Sequence, residues 1–104
     1  MIHVSVHGNK RVRRRCGVPK KTVNKLAEEA FEKGLTHGET TGSLNKYITG
    51  VYFYNKTANN IRVYRDKVFI FAGQSLITVL NLPARYHKSA LNCFKKRGIA
   101  TNEG

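Results

Sequence analysis

The chain has 104 residues, enough for one domain whose modest apolar core needs neither disulfides nor metal. Hydrophobic residues make up 40%, too many for a disordered basic arm, and the net charge of +13 comes from 19 basic against 6 acidic residues, an excess that fits nucleic acid better than an acidic metabolite. No apolar run nears the ~18 residues of a membrane span and no long apolar core follows the first residues, so neither a membrane partner nor a signal peptide is expected.

Ile2, Val4 and Val6 alternate with His3, Ser5 and His7, the period of a half-buried strand, which Gly8-Asn9 breaks. Residues 9–16 then suit a short helix closed by Gly17. Lys10, Arg11, Arg13, Arg14 and Arg15 crowd this segment, and no acidic residue precedes Glu28. On a helix Arg11, Arg14 and Arg15 fall within about 100° of arc, while Val12 and Cys16 lie together on another side. Like charges packed this tightly repel one another, and a polyanionic partner is the ordinary reason to tolerate them.

A second helix is predicted from Pro19, at the first helical position, to a stop at Gly34. Val23, Leu26, Ala27, Ala30 and Phe31 form its core stripe. Its charges run against the helix dipole, with Lys20, Lys21 and Lys25 leading and Glu28, Glu29 and Glu32 following. Residues 35–43 read as a polar loop. Ser43 is placed to cap a short helix over Leu44–Ile48 ended by Gly50, and Val51–Tyr54 is either a strand or the end of that helical region. Asn55–Asn60 reads as a turn.

Ile61–Tyr64, Lys67–Ala72 and Leu76–Leu82 are three strand candidates rich in β-branched and aromatic residues. Their short connectors, Arg65-Asp66 and Gly73-Gln74-Ser75, make neighbours antiparallel. Val68-Phe69-Ile70-Phe71 is apolar on both faces, which predicts a central strand covered by helix on at least one side. Pro83 ends the meander, and a basic tail over about 84–104 follows, with Ala90, Leu91 and Phe94 pinning a short terminal helix. The expected fold is therefore α+β, a single domain over 1–104 with an N-terminal strand and helices packed on a small antiparallel meander sheet.

Several residues carry candidate chemistry. His7 lies near Arg11 and Arg15, where neighbouring positive charge favours a neutral imidazole able to act as a base. Tyr86, His87 and Lys88 follow the last strand, flanked by Arg85. Arg62 and Tyr64 share a face of their strand, a pairing that suits phosphate contact and base stacking. Lys10, Arg11, Arg14, Arg15, Lys20, Lys21, Arg62, Tyr64, Arg85 and Lys88 are thus the candidate nucleic-acid contacts. There are no paired carboxylates, no third ligand beside His3 and His7, no phosphate-cradling glycine loop and no nucleophile motif. No cofactor or metal is expected, and any catalysis would be metal-independent. Cys16 and Cys93 are in no metal-ligand spacing and read as free thiols of a reducing cytoplasm.

The order of elements resembles RelE-like proteins, small domains in which a segment S-x-H-A-x-x-R-x-x-x-R-G-I precedes a second helix. Ser5-Val6-His7-Gly8-Asn9-Lys10-Arg11 matches it with Gly8 for the alanine, and Arg15-Cys16-Gly17-Val18 stands where Arg-Gly-Ile would. The resemblance covers about a third of the chain. It implies a metal-independent ribonuclease or an inactive relative, often a toxin paired with an antitoxin, with Arg62, Tyr86 and His87 as catalytic candidates beside His7. The overall character is similar to small proteins of phages and mobile elements. Two function classes follow: an RNA binder, RNA favoured over DNA, with endoribonuclease as its reaction if it cuts; and a phage-encoded inhibitor of the anti-CRISPR type, which blocks a host nucleoprotein complex by protein or ribonucleoprotein binding.

Overall fold

The computed structural model describes residues 2–55 and 58–103, the last six of these by backbone alone. Its elements run β1 (His3–Val4), α1 (Val6–Cys16), α2 (Lys20–Lys33), α3 (Gly42–Tyr54), β2 (Asn60–Tyr64), β3 (Lys67–Ala72), β4 (Ser75–Asn81) and α4 (His87–Glu103), with 3-10 turns at His37–Glu39 and Ala84–Tyr86.

Ser5 decides where the first strand ends. Its Oγ accepts the Gly8 N–H at 2.9 Å, the bond of a helix N-cap, and donates to the Leu76 carbonyl at 3.1 Å. One side chain thus stops β1, starts α1 and ties both to β4. The helix therefore begins at Val6 rather than residue 9, and Val6, expected on the strand's inner face, is 79% exposed. Gly8 does not break the helix. A Cβ there would stand 2.6 Å from the Leu76 carbonyl oxygen, so glycine is what lets α1 lie against β4. Gly17 closes α1 in the left-handed region at φ 64°, as expected.

Pro19 serves as the N-cap of α2 rather than its first residue, and Gly34 ends the helix. The predicted stripe is buried at Val23, Leu26, Ala27 and Ala30, with Phe31 half-buried against Phe71 at 5.1 Å between ring centres. Leu35, read as loop, is a core residue instead. It exchanges both backbone hydrogen bonds with Val63 and so covers part of the free edge of β2.

Of the two readings of residues 51–54, the helical one holds. Thr41 rather than Ser43 is the N-cap, and α3 passes Gly50 without interruption. Leu44, Ile48 and Val51 repeat at helical spacing on the buried side, whereas a Cβ at Gly50 would meet open space, so nothing stops the helix there. The turn expected over Asn55–Asn60 includes residues 56 and 57, which lie outside the described residues.

The sheet has the order β1-β4-β3-β2. β2, β3 and β4 form the expected antiparallel meander, but β1 adds parallel to β4 through His3↔Ser75 and Val4↔Leu76, so the sheet is mixed. A β-bulge at Ile70/Phe71 shifts the β3–β4 register. β3 sits centrally and is covered on both faces. Phe69 and Phe71 pack with Val12, Val23 and Leu26 under α1 and α2. Val68 and Ile70 pack with Leu44, Ile48 and Cys93 under α3 and α4. The predicted terminal helix forms, but Cys93, not Leu91, joins Ala90 in the core, while Leu91 is 57% exposed. Among the described residues no helix is long and apolar enough to cross a membrane.

Candidate nucleic-acid interface

α1 presents its cations by a simple division of faces. Val12 is fully buried and Cys16 half-buried, which turns Lys10, Arg13 and Arg14 to solvent and leaves Arg11 and Arg15 at the margins. Arg13, Arg14 and Arg15 fill the last turn, where they complement the negative end of the helix dipole. Among the described residues none of these four guanidiniums makes a hydrogen bond or ion pair.

Arg15 reaches a cavity of about 270 Å³ between the C-terminus of α1, α2 and the β2–β3 turn. Cys16, Val18, Leu26 and Phe69 line it with apolar side chains, while Arg15, Arg65 and Lys67 bring three cations to it from α1, the turn and β3, and Asp66 brings one carboxylate. Tyr64 stands at its side, its hydroxyl donating to Glu29 Oε2 at 3.1 Å, with the Arg65 guanidinium 5.4 Å above its ring. Arg65 holds φ 57°, the left-handed region, which costs a residue with a Cβ about 1–2 kcal/mol. Lys67 donates to Asp66 at 3.0 Å, and that ammonium holds the Asp66 carboxyl below its ordinary range. Burial pushes the Cys16 thiol up, against the opposing pull of Lys67 and Arg65.

Two further hollows flank this cavity. Lys20 and Lys21 line one of about 520 Å³ with Asn9 and Asn24, where the N-terminus of α2 passes α1 and Asn9 Oδ1 is buried without a hydrogen-bond partner among the described residues. The lysines that oppose the α2 dipole therefore extend the positive field of α1. On the far side of the β2–β3 turn, Arg65, Asp66 and His87 face Leu91 and Phe94 across about 310 Å³. His87 Nε2 donates to the Leu82 carbonyl at 2.8 Å, which leaves Nδ1 as the acceptor.

The other predicted site residues are spread apart. His7 sits exposed in the first turn of α1, not at a strand end. Its helix is anchored at Leu76 in β4 and His87 at Leu82, six residues on and just past the end of that strand, a span of roughly 20 Å. Arg62 is turned to α2, with Nε donating to the Phe31 carbonyl at 3.1 Å and its guanidinium 4.9 Å over the Phe31 ring. Arg62 and Tyr64 do share a face, but it is the face that packs on α2. Tyr86 stacks on Tyr47 with ring centres 4.7 Å apart, and Arg85 lies 4.9 Å over Tyr86, on the α3–α4 side; Lys88 is exposed nearby in α4. Sequence reasoning missed Arg65 and Lys67. Arg65-Asp66 reads as a connector and nothing more, and only the fold sets that hairpin tip opposite Arg15.

Among the described residues no three of His, Cys, Asp and Glu gather as metal ligands. Comparisons with family models, with curated proteins and with solved structures found no match for this chain.

Proposed function

We propose that this protein binds nucleic acid, RNA in preference to DNA, through the layer made by α1, α2 and the tip of the β2–β3 hairpin. The observation that carries this reading is the set of Arg11, Arg13, Arg14 and Arg15, four guanidiniums on one short helix with no hydrogen-bonded partner among the described residues. Lys20, Lys21, Arg65 and Lys67 extend the same field from three other elements. Cations held this way grip phosphates and give affinity that falls steeply with salt. RNA is favoured because the cations are spread over α1, α2, the turn and β3 around hollows rather than along one helix free to enter a DNA major groove. Reversing Arg11, Arg14 and Arg15 to glutamate should abolish binding of a labelled RNA. Salt-insensitive binding, or none to any nucleic acid, would sink the reading.

Binding accounts for this geometry better than cleavage. The RelE-like resemblance points to Arg62, Tyr86 and His87, and the arginine surroundings point to His7, yet Arg62 is occupied by Phe31, Tyr86 by Tyr47, and the anchors of His7 and His87 are far apart. Gly8 also departs from the motif's alanine for a steric reason, the approach of the Leu76 carbonyl. RNA incubated with the protein in EDTA should stay intact, and cleavage lost in His87→Ala would restore the ribonuclease reading. A cytoplasmic location agrees with the free thiols of Cys16 and Cys93.

One observation favours the second reading, inhibition of a host nucleoprotein complex. Phe53 and Tyr54 end α3 at 76% and 92% exposure, beside an apolar cleft lined by His37 and Tyr52. Exposed aromatics of this kind are typical of protein contacts. Under that reading the protein blocks target cutting by a guide-RNA-loaded nuclease, and Phe53→Ser with Tyr54→Ser relieves the block while RNA affinity is unchanged.

A further inference from the structure

We infer that the cavity between α1, α2 and the β2–β3 turn captures one splayed-out nucleotide of a single-stranded nucleic acid, its base on the apolar wall and its phosphate on the cations. The inference rests on the proposed function and narrows it to single strands.

The chemistry of the cavity is divided in a way that a plain phosphate site does not need. Cys16, Val18, Leu26 and Phe69 give the cavity an apolar wall, Leu26 and Phe69 almost wholly buried in it, while Tyr64 and the Asp66 carboxylate line it beside the three cations. Sulfate or free phosphate gains nothing from that wall. A nucleotide gains from both halves, because its base is apolar on the faces and its phosphate is anionic. At about 270 Å³ the cavity lies just under the range of drug-sized pockets, which suits a single nucleotide.

The cations are arranged for an incoming charge. Lys67 is held by Asp66, while Arg15 makes no hydrogen bond or ion pair among the described residues and Arg65 has only the Tyr64 ring beneath it. Arg65 holds its left-handed backbone at the tip of the β2–β3 turn and lines both this cavity and the hollow beyond the turn. A base inside a duplex is stacked and cannot enter such a cavity without being flipped out, so single strands bind at lower cost.

Cys16 lines the cavity and reports on it without any mutation, since Cys93 is only 5% exposed and serves as the internal control. Adenosine 5′-monophosphate should slow alkylation of Cys16 by iodoacetamide, and the same concentration of inorganic phosphate should leave it unchanged. In a second experiment Val18→Trp fills the cavity from the α1–α2 link. Its affinity for a short single-stranded RNA should fall about tenfold, the worth of one stacked base, while its affinity for duplex RNA stays within about twofold and its unfolding remains a single transition. Equal protection by phosphate and by the nucleotide overturns the inference, as does equal binding of single and double strands; both outcomes leave the cationic layer standing as a nucleic-acid binder. Failure to bind any nucleic acid removes the proposed function and this inference together.

Discussion

The two helical layers cover opposite faces of the same central strand, yet they are skinned differently. Under α1 and α2 lie Phe69 and Phe71; under α3 and α4 lie Val68 and Ile70. Both interiors are built of buried apolar side chains. Outside, α1 carries arginines without hydrogen-bonded partners among the described residues, whereas α3 has Lys46 as its one charged residue and finishes in exposed Phe53 and Tyr54. In α4, Arg97 is fully engaged: it donates to the carbonyls of Lys33 and Gly34 and to both Glu39 carboxylate oxygens, the nearer carboxylate oxygen at 2.6 Å. Net charge alone counts these cations equally. Their attachments separate those that hold the fold from those that await a partner.

The sharpest way to break the comparison is to ask whether the two interiors are equally necessary. Phe71→Ala under the α1–α2 layer should cost about 3–5 kcal/mol, and Leu44→Ala under the α3–α4 layer about 2–5 kcal/mol. Urea unfolding followed by both circular dichroism and tyrosine fluorescence should show one coincident transition for each variant. A Leu44→Ala protein whose main transition does not move would mean that α3 is an appendage and the layers are not equivalent supports.

Next in size is the seam between α1 and the sheet. Gly8→Ala places a methyl 2.6 Å from a backbone oxygen that cannot swing away, and should destabilise by about 1–3 kcal/mol despite alanine's better helix propensity. The midpoint of thermal unfolding measures it. An unchanged or raised midpoint would show that α1 is not seated on β4 as described.

The same seam shows what a sequence can and cannot disclose. The α+β class, the α2 stripe and the three-strand meander were all legible, because periodicity of 3.6 or 2 writes burial directly into residue order. The start of α1 was not. Ile2, Val4 and Val6 mimic a longer strand, and only the bond from Ser5 to Leu76, 71 positions away, reveals serine as a cap. Gly50 misled in the opposite sense, since a glycine facing open space ends nothing. At the candidate interface the arginine run was plain, but Arg65 and Lys67 became partners of Arg15 only through the hairpin's position. Arg62 and Tyr64 shared a face as predicted; what no local pattern discloses is that α2 covers it.

A smaller effect separates the two kinds of arginine. Arg97→Gln should lower stability by about 1–2 kcal/mol through its lost charged hydrogen bonds, with RNA affinity little changed. Arg14→Gln, on an exposed position, should alter stability by less than about 0.5 kcal/mol and reduce the slope of log affinity against log salt by about 1. Reversed results would exchange the roles assigned to the two layers.

The smallest effect lies in acid. Arg97 beside Glu39, helped by the Thr36 N–H at 2.9 Å, holds the Glu39 carboxyl down at about 2, against an ordinary value of about 4.5. A carboxyl lowered in the folded state adds stability in full above the ordinary value, and loses it as pH falls through the folded one. The Glu39 contribution is therefore complete at neutral pH and disappears between about pH 4.5 and 2. The pair is more than a third exposed on the Glu39 side, so water screens it and its worth is no more than about 1 kcal/mol. Glu39→Gln should flatten that part of the acid limb in a pH series of urea midpoints, leaving RNA binding at pH 7 untouched. An unaltered limb would mean that Arg97 holds α4 to the end of α2 through the Lys33 and Gly34 carbonyls alone, and that the α3–α4 layer owes nothing to charge.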